Sequence, residues 1–267
     1  MILAVDPVLI ASLIAGLGYA AAVAGSTQPR WPTWGLVIGW LAHAAMLAAD
    51  MAFDLPEGQG VRFGFAPVLS LAVWLVLAVH AVESRFVPLP HIRRGLASLA
   101  FGTVLLVLAF PGEPPVVSHT PWAPLHWILG IVSYGLFGAA VLHAFLLDNA
   151  DRQMRQGAGS GAVLGMPLLK LERLTFRFVD AGFIVLTAAM AFGIGSVERW
   201  RWNDHKVVFT MLSWATFAAL LAGRHLQGWR GRQATRWLYS GAGLLLLAYV
   251  GSRFVFEVLL KRVPPPT

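Results

Sequence analysis

Eight histidines are the residues of this sequence with the clearest capacity for chemistry, and their spacing limits that chemistry. No two of them lie three or four positions apart, so no helical turn presents the paired imidazoles of a catalytic zinc site. The sequence has no cysteine, which excludes thiolate metal sites, disulfides and thiol redox chemistry. Isolated histidines of this kind suit hydrogen bonding or the ligation of a metal from one side.

Three ionisable residues stand out because they lie within long apolar stretches. They are His43 in GWLAHAAMLAAD, His126 in PLHWILGIVSYG and Arg253 in LAYVGSRFVFEVLL. Ionisable groups inside a membrane are costly, which makes each a functional candidate. Structural alternatives remain open: His43 could hydrogen-bond a neighbouring helix and add only packing specificity. Arg253 could extend to the lipid headgroups or pair with Glu257 on the same helical face.

Aromatic residues and further histidines accompany these groups in two segments. They are His119, Trp122, His126 and Trp127 in the first, and Trp200, Trp202, Asp204 and His205 in the second. A heme group needs an axial imidazole, an aromatic or apolar plane, and cations for its propionates. The combination predicts a non-covalent heme b site, since covalent attachment through CxxCH is impossible without cysteine. Its candidate contacts are His126 as the axial iron ligand, Arg253 on a propionate, and His205, His119, His43, Trp200, Trp202 and Asp204.

The composition indicates which elements must position these residues. The chain of 267 residues is 57% hydrophobic and only 12% charged, with a mean hydropathy of +0.68. Soluble domains carry about twice that share of charge. Continuous apolar runs without period-two alternation predict transmembrane helices rather than barrel strands. We therefore predict an all-α polytopic membrane bundle of eight helices, near 5–24, 34–52, 64–83, 93–110, 125–147, 179–197, 206–223 and 237–259.

The distribution of Lys and Arg predicts how this bundle is oriented. Most of them follow the first, third, fifth and seventh predicted helices, and cytoplasmic loops carry the excess of basic residues. Both termini are therefore expected on the outer side. The net charge of +7 is a topology signal rather than a sign of nucleic-acid binding. No composition break or repeat divides the chain, so residues 1–267 are predicted to form a single domain. Short loops leave no room for a soluble catalytic domain, and we do not expect an enzyme.

The candidate heme contacts differ in their predicted depth below the outer ends of their helices. His126 lies one turn below the outer end of its predicted helix. Arg253 lies about 9 Å and His43 about 14 Å below theirs, at a rise of 1.5 Å per residue. His43 therefore pairs poorly with His126 on one iron. The second axial ligand is expected to be His119 or His205, or to be absent.

The C-terminal half resembles a known superfamily. PLHWILGIVSYGLFGAAVLHAFLL, MPLLKLERLTFRFVDAGFIVLTAAMAFG, LSWATFAALLAGRHLQGWRGRQA and GAGLLLLAYVGSRFVFEVLL resemble the CcsA/CcmC-type cytochrome c assembly proteins. The similarity is clearest over 125–267 and closest to the short HemX-like and YpjD-like bacterial branch. It implies a multi-pass protein of the bacterial cytoplasmic (inner) membrane. It also implies heme held on the outer face beside a tryptophan-rich WxWDPKE loop, with His126 as the first of two outer histidines.

This sequence departs from that pattern at several positions. Of the WDPKE residues only Asp204 and Lys206 are kept, and the second outer histidine falls on Leu260. The resemblance implies heme handling in cytochrome c assembly, with the lipid bilayer, heme, apocytochrome and other biogenesis membrane proteins as partners. The alternative is a cofactor-free membrane accessory or scaffold subunit, possibly of an ion-transport system, with a decayed heme site. A transporter ranks third because only His43 lies near the midplane.

Overall fold

The structure is a computed structural model, and α-helices make up most of what it describes. It describes residues 6–24, 31–52, 61–83, 90–112, 120–156, 162–163, 166–196 and 204–260. The helices are α1 (Pro7–Ala24), α2 (Trp31–Ala52), α3 (Phe65–Glu83), α4 (Pro90–Ala109), α5 (Ala123–Arg155), α6 (Leu168–Ser196), α7 (His205–Gln227), α8 (Gly231–Leu246) and α9 (Ser252–Phe254).

A π-helical turn, Leu247–Gly251, joins α8 to α9, and a second, Val255–Leu259, follows α9, so that together they form one continuous span, Gly231–Leu259. With this span counted once, the described residues form eight helices that are long and apolar enough to cross a membrane. The predicted all-α membrane architecture with eight transmembrane helices is therefore confirmed. The placement of both termini on the outer side stays a prediction.

Helices α5 and α6 are longer than the apolar segments that predict them. The sequence pattern places spans near 125–147 and 179–197, whereas α5 continues to Arg155 and α6 begins at Leu168. Hydropathy detects only the apolar part of a helix. The polar end of α5 is supported instead by an ion pair one turn apart, with Arg155 Nε 3.0 Å from Asp151 Oδ2.

A short antiparallel strand pair lies between these two helices. Strand β1 (Ala162–Val163) pairs with β2 (Met166–Pro167), and Val163 lies opposite Met166. It is too short to have an apolar pattern of its own, and the sequence analysis did not predict it.

The chain forms two compact units. Helices α1–α4 form the first unit, and α5–α9 with the strand pair form the second. The organisation of residues 1–267 as one transmembrane domain stays a prediction.

In the first unit, α2 packs closely against both α1 and α3. A Cβ atom on Gly18 of α1 would lie 2.6 Å from the Gly39 amide nitrogen and 2.7 Å from the Gly35 carbonyl oxygen of α2. Small residues that let helix backbones approach are typical of membrane helix pairs. On the other side of α2, Trp40 and Trp74 stack at 4.5 Å, and each indole N–H donates to the other's carbonyl. Glycine contact and reciprocal hydrogen bonds thus hold three helices together.

In the second unit, two stacked phenylalanines form the centre of the core. The rings of Phe137 on α5 and Phe217 on α7 are 3.8 Å apart and nearly parallel. Gly182 of α6 and Gly241 of α8 leave the space that these rings fill, since a Cβ atom would lie 3.1 Å and 2.7 Å from them. The four long helices of the unit therefore meet around one aromatic pair.

Polar contacts fix α8 against α5. Asp148 of α5 accepts hydrogen bonds from the hydroxyls of Thr235, at 3.0 Å, and Tyr239, at 2.9 Å. Further along the same pair of helices, the Tyr134 hydroxyl donates to the Leu245 carbonyl. That carbonyl lies just before the first π-helical turn, so α5 supports the last span where its helical geometry changes.

Candidate functional site

The candidate residues of the second unit lie where α5 and α7 begin and where α6 and the last span end. Consecutive helices run in alternating directions, so these four termini share one end of the unit. Two contacts connect the termini in pairs: His126 of α5 reaches Ala189 of α6, and His205 of α7 stacks on Phe256 of the last span. The predicted ligand His126 is thus placed among aromatic and polar groups from neighbouring helices.

His126 occupies the first turn of α5 and is half-buried. Its backbone amide donates to the Trp122 carbonyl at 3.0 Å, which places the residue within the helix. Its imidazole Nδ1 lies 2.7 Å from the carbonyl oxygen of Ala189 on α6. Gly193, one turn further along α6, lies directly beside the ring.

The Ala189 contact determines which ring nitrogen carries the proton. A carbonyl oxygen can only accept a hydrogen bond, so Nδ1 is the protonated nitrogen. In the neutral imidazole, Nε2 then keeps its lone pair. Among the described residues no hydrogen bond to Nε2 is found. Metal-ligating histidines are held in this way, with one ring N–H on a carbonyl or carboxylate and the other nitrogen on the metal.

An aromatic pair lies at the same end of α5 as this histidine. The ring of Trp122, immediately before α5, lies 5.8 Å from that of Phe192 on α6 at 31°. Trp122 is more than half exposed. Phe192 adjoins Gly193 in the chain, so the aromatic pair and the imidazole occupy the same end of α5 and α6. This surface has the apolar, aromatic character that a porphyrin ring needs.

Asp204 and His205 begin α7. The Asp204 carboxylate accepts the Lys206 amide at 2.9 Å and caps the helix, which is a structural role. His205 is exposed, lies 3.8 Å from Asp204 through Nδ1, and stacks on Phe256 at 5.5 Å. The exposed imidazole therefore lies at the same end of the second unit as His126.

Arg253 is 7% exposed and lies in the short α9 turn between the two π-helical turns. Its Nε is 3.6 Å from Glu257 Oε1 and 3.5 Å from the Tyr249 hydroxyl, and its guanidinium faces the Tyr249 ring at 5.7 Å. The pairing with Glu257 that the sequence allowed is thus formed. Contact with a propionate stays a prediction. π-Helical turns within α-helices are frequently found at functional sites.

His43 lies in the first unit and is completely buried. Its Nδ1 lies 2.9 Å from the Tyr19 hydroxyl of α1, and its Nε2 lies 2.7 Å from the Ser70 hydroxyl of α3. The hydrogen bonding to neighbouring helices that the sequence left open is therefore present. Ligation of a metal through either nitrogen would require one of these bonds to break.

Three predicted site residues, His119, Trp200 and Trp202, lie outside the described residues. Of the others, the structure brings His126, Asp204, His205 and Arg253 into the second unit, while His43 belongs to the first. Sequence reasoning missed Ala189 and Gly193 as neighbours of His126, because an apolar helix shows no pattern that marks a single contact. Gly193 was the one available signal, since glycine within a helix often has a packing reason.

A protein-family model and several known proteins match most of this chain. The family model described as "Cytochrome C assembly protein" matches residues 46–260. The chain is 28% identical over 230 residues to "Inner membrane protein YpjD" of Escherichia coli K12, covering 84% of this chain and 85% of that protein.

Other relatives are named for cytochrome c biogenesis. "Cytochrome c biogenesis protein CcsA" of Synechococcus elongatus is 24% identical over 282 residues, covering 84% of each chain. The CcsA protein of Prochlorococcus marinus is 33% identical over 213 residues, covering 78% of this chain and 58% of that protein. No solved structure shows significant similarity to this chain.

Proposed function

Because the chain belongs to the cytochrome c assembly protein family, we propose that it handles heme during cytochrome c assembly at the outer face of the cytoplasmic membrane. It is a multi-pass membrane protein, and its relatives include an inner membrane protein and CcsA proteins. The observation that carries the proposal is His126. Its Nδ1 is committed to the Ala189 carbonyl, so its Nε2 keeps the lone pair that an iron requires.

The residues present fit a non-covalently bound heme b. His126 would hold the iron through its imidazole, and the Trp122–Phe192 pair at the same end of α5 and α6 would supply aromatic surface. Arg253 would turn from Glu257 toward a propionate. When bound, the heme would supply an iron centre that binds a nitrogen ligand. His205 is the described candidate for a second ligand, because it is exposed at the same end of the unit.

In this proposal the chain holds and presents heme and carries out no reaction of its own. The absence of cysteine from the sequence means that it cannot attach heme to itself through thioether bonds. Its partners would be heme, the lipid bilayer, apocytochrome and other membrane proteins of cytochrome biogenesis. No nucleic acid is expected.

A second candidate function is a cofactor-free accessory or scaffold subunit, possibly of an ion-transport system. The closed ion pair between Arg253 and Glu257 favours it, because the cation proposed for a propionate already has an anionic partner within the fold. The departures from the WxWDPKE pattern at Asn203, His205 and Val207 point the same way. In this case the protein stabilises a partner and binds no heme.

Absorption spectroscopy on the purified protein separates the two functions. The chain would be purified in mild detergent from cells with an adequate heme supply. Heme handling predicts a Soret band and a pyridine hemochrome spectrum of b type at a stoichiometry approaching one heme per chain. A colourless protein that stays colourless after incubation with hemin, and whose deletion lowers the abundance of another membrane protein, would instead support the scaffold role.

A further inference from the structure

We propose that Gly193 is a positioning residue that, with the Ala189 carbonyl, holds His126 so that Nε2 and not Nδ1 is its ligand nitrogen. The inference rests on the proposed heme-handling function. It assigns α6 a role in the site, and no family motif in the sequence indicates this role. Three observations carry it: a hydrogen bond, a close approach and the direction in which the ring is turned.

The hydrogen bond uses a carbonyl that is already engaged in the helix. In an α-helix, the amide of Gly193 donates to the carbonyl of Ala189, four residues earlier. That oxygen has a second lone pair, and His126 Nδ1 donates to it at 2.7 Å. The imidazole must therefore approach α6 from the side, next to the residue one turn above Ala189. That residue is Gly193.

Glycine is what leaves room for this approach. A Cβ atom built on Gly193 would lie 2.8 Å from His126 Cε1 and 3.0 Å from Nδ1. The first distance is shorter than Cβ contacts in real proteins. The ring belongs to a side chain with only two rotatable bonds in the first turn of α5, so it would have to turn away. Any other residue at this position would therefore weaken the bond to Ala189.

The same geometry orients the ring. The Cβ position on Gly193 is 3.6 Å from Nε2 but only 3.0 Å from Nδ1, so the Nδ1–Cε1 edge faces α6 and Nε2 lies further from it. If the ring turned away, Nδ1 would lose the Ala189 carbonyl as its acceptor, and that hydrogen bond would no longer hold the proton on Nδ1. The imidazole would then populate both tautomers, and its coordinating nitrogen would no longer be defined.

A double-mutant cycle on heme-free protein tests whether a side chain at position 193 would collide with the His126 ring. Gly193→Ala is expected to lower the melting temperature by about 3–8 °C when His126 is present, as overpacking does. In the His126→Ala background, Gly193→Ala should leave the melting temperature unchanged, because the added methyl group no longer meets an imidazole ring. Gly243→Ala is the matched control, since a Cβ atom there meets nothing within 4 Å and should not lower the melting temperature in either background. Equal effects of Gly193→Ala in the two backgrounds would overturn the proposal.

Nitrogen NMR on the unaltered chain tests the tautomer without relying on any variant's fold. Histidine labelled with ¹⁵N would be incorporated, and the His126 signals assigned by their loss in His126→Ala. The proposal requires Nδ1 to be protonated and Nε2 unprotonated in the neutral ring. A protonated Nε2 would refute it.

Both readouts are independent of bound heme. A chain that shows the coupling and the tautomer but binds no heme would contradict the proposed function, not the positioning. A chain that binds heme without the coupling would contradict the positioning alone. For heme-loaded protein, Gly193→Ala should retain less heme than Gly243→Ala and show a mixture of spin states.

Discussion

At the scale of single residues, His126 and His43 differ in what their ring nitrogens contact. His126 donates through Nδ1 to a carbonyl, and its Nε2 bonds no described residue. His43 is buried between the hydroxyls of Tyr19 and Ser70, with both nitrogens engaged. Two histidines that look alike in the sequence, each within an apolar stretch of its helix, thus have opposite capacities for metal ligation.

Replacing His43 should affect stability and not heme binding. His43→Ala removes two buried hydrogen bonds, leaves two hydroxyls without their partner and opens a cavity, at a cost of about 2–4 kcal/mol. Tyr19→Phe removes one bond and should cost about 0.5–1.5 kcal/mol. Unfolding measurements in detergent would give both values. Heme content per folded chain should be unchanged, and its loss in His43→Ala would show that His43 is a ligand.

The effects of Arg253 and Glu257 on heme retention can be measured separately by replacing each member of the ion pair. If Arg253 contacts a propionate, Arg253→Leu should weaken heme retention without changing the spin state. Glu257→Gln removes the negative charge that pairs with Arg253, so this variant should retain heme at least as well as the unaltered chain. Heme transfer to excess apomyoglobin would measure retention. Equal retention by Arg253→Leu and the unaltered chain would restrict Arg253 to its pair with Glu257.

The sequence singled out His126 as the principal ligand, which stays a prediction, but it did not predict which residues lie beside His126. The position of His126 one turn inside an apolar helix was sufficient to select it. The contacts with Ala189 and Gly193 come from α6, more than sixty residues later, and depend on how two helices dock. Hydrophobic periodicity defines which segments are helices. It does not define which turn of one helix faces which turn of another.

At the scale of elements, hydropathy located all eight spans but not the ends of the longest helices. Polar residues at the end of α5 follow helical ion-pair spacing, which a search for apolar runs does not detect. The π-helical turns around Arg253 also have no sequence signature. The hydrogen bond from Tyr134 of α5 to the Leu245 carbonyl lies just before the first of them.

The close contact of α1 with α2 predicts a position-specific effect of adding one methyl group. Gly18→Ala places a Cβ atom against the backbone of Gly35 and Gly39, so the helices must separate and the chain should lose about 1–3 kcal/mol. Gly102→Ala in α4 is the matched control, because nothing lies within 4 Å of its Cβ position. Its stability should be unchanged or slightly raised, since alanine favours helix. Equal stability of the two variants would contradict the packing of α1 on α2.

At the scale of the whole molecule, the distribution of basic residues predicts both termini on the outer side. Reporter fusions would test this at Gly159 and Glu113, two positions outside the described residues. Alkaline phosphatase should be inactive after Gly159 and active after Glu113, because the enzyme folds only outside the cytoplasm. The reverse pattern would show that the bundle has the opposite orientation in the membrane. The end of the second unit that carries His126 would then face the cytoplasm.

The absorption spectrum of His126→Ala tests the central claim most directly. The unaltered chain and the variant would be purified side by side, reconstituted with hemin, and compared for Soret intensity per folded chain. Ligation by His126 Nε2 predicts that the variant loses the Soret band or converts to a high-spin spectrum, and that added imidazole restores the original spectrum by occupying the vacated position. A variant whose spectrum matches that of the unaltered chain would contradict the assignment of His126 as the heme ligand.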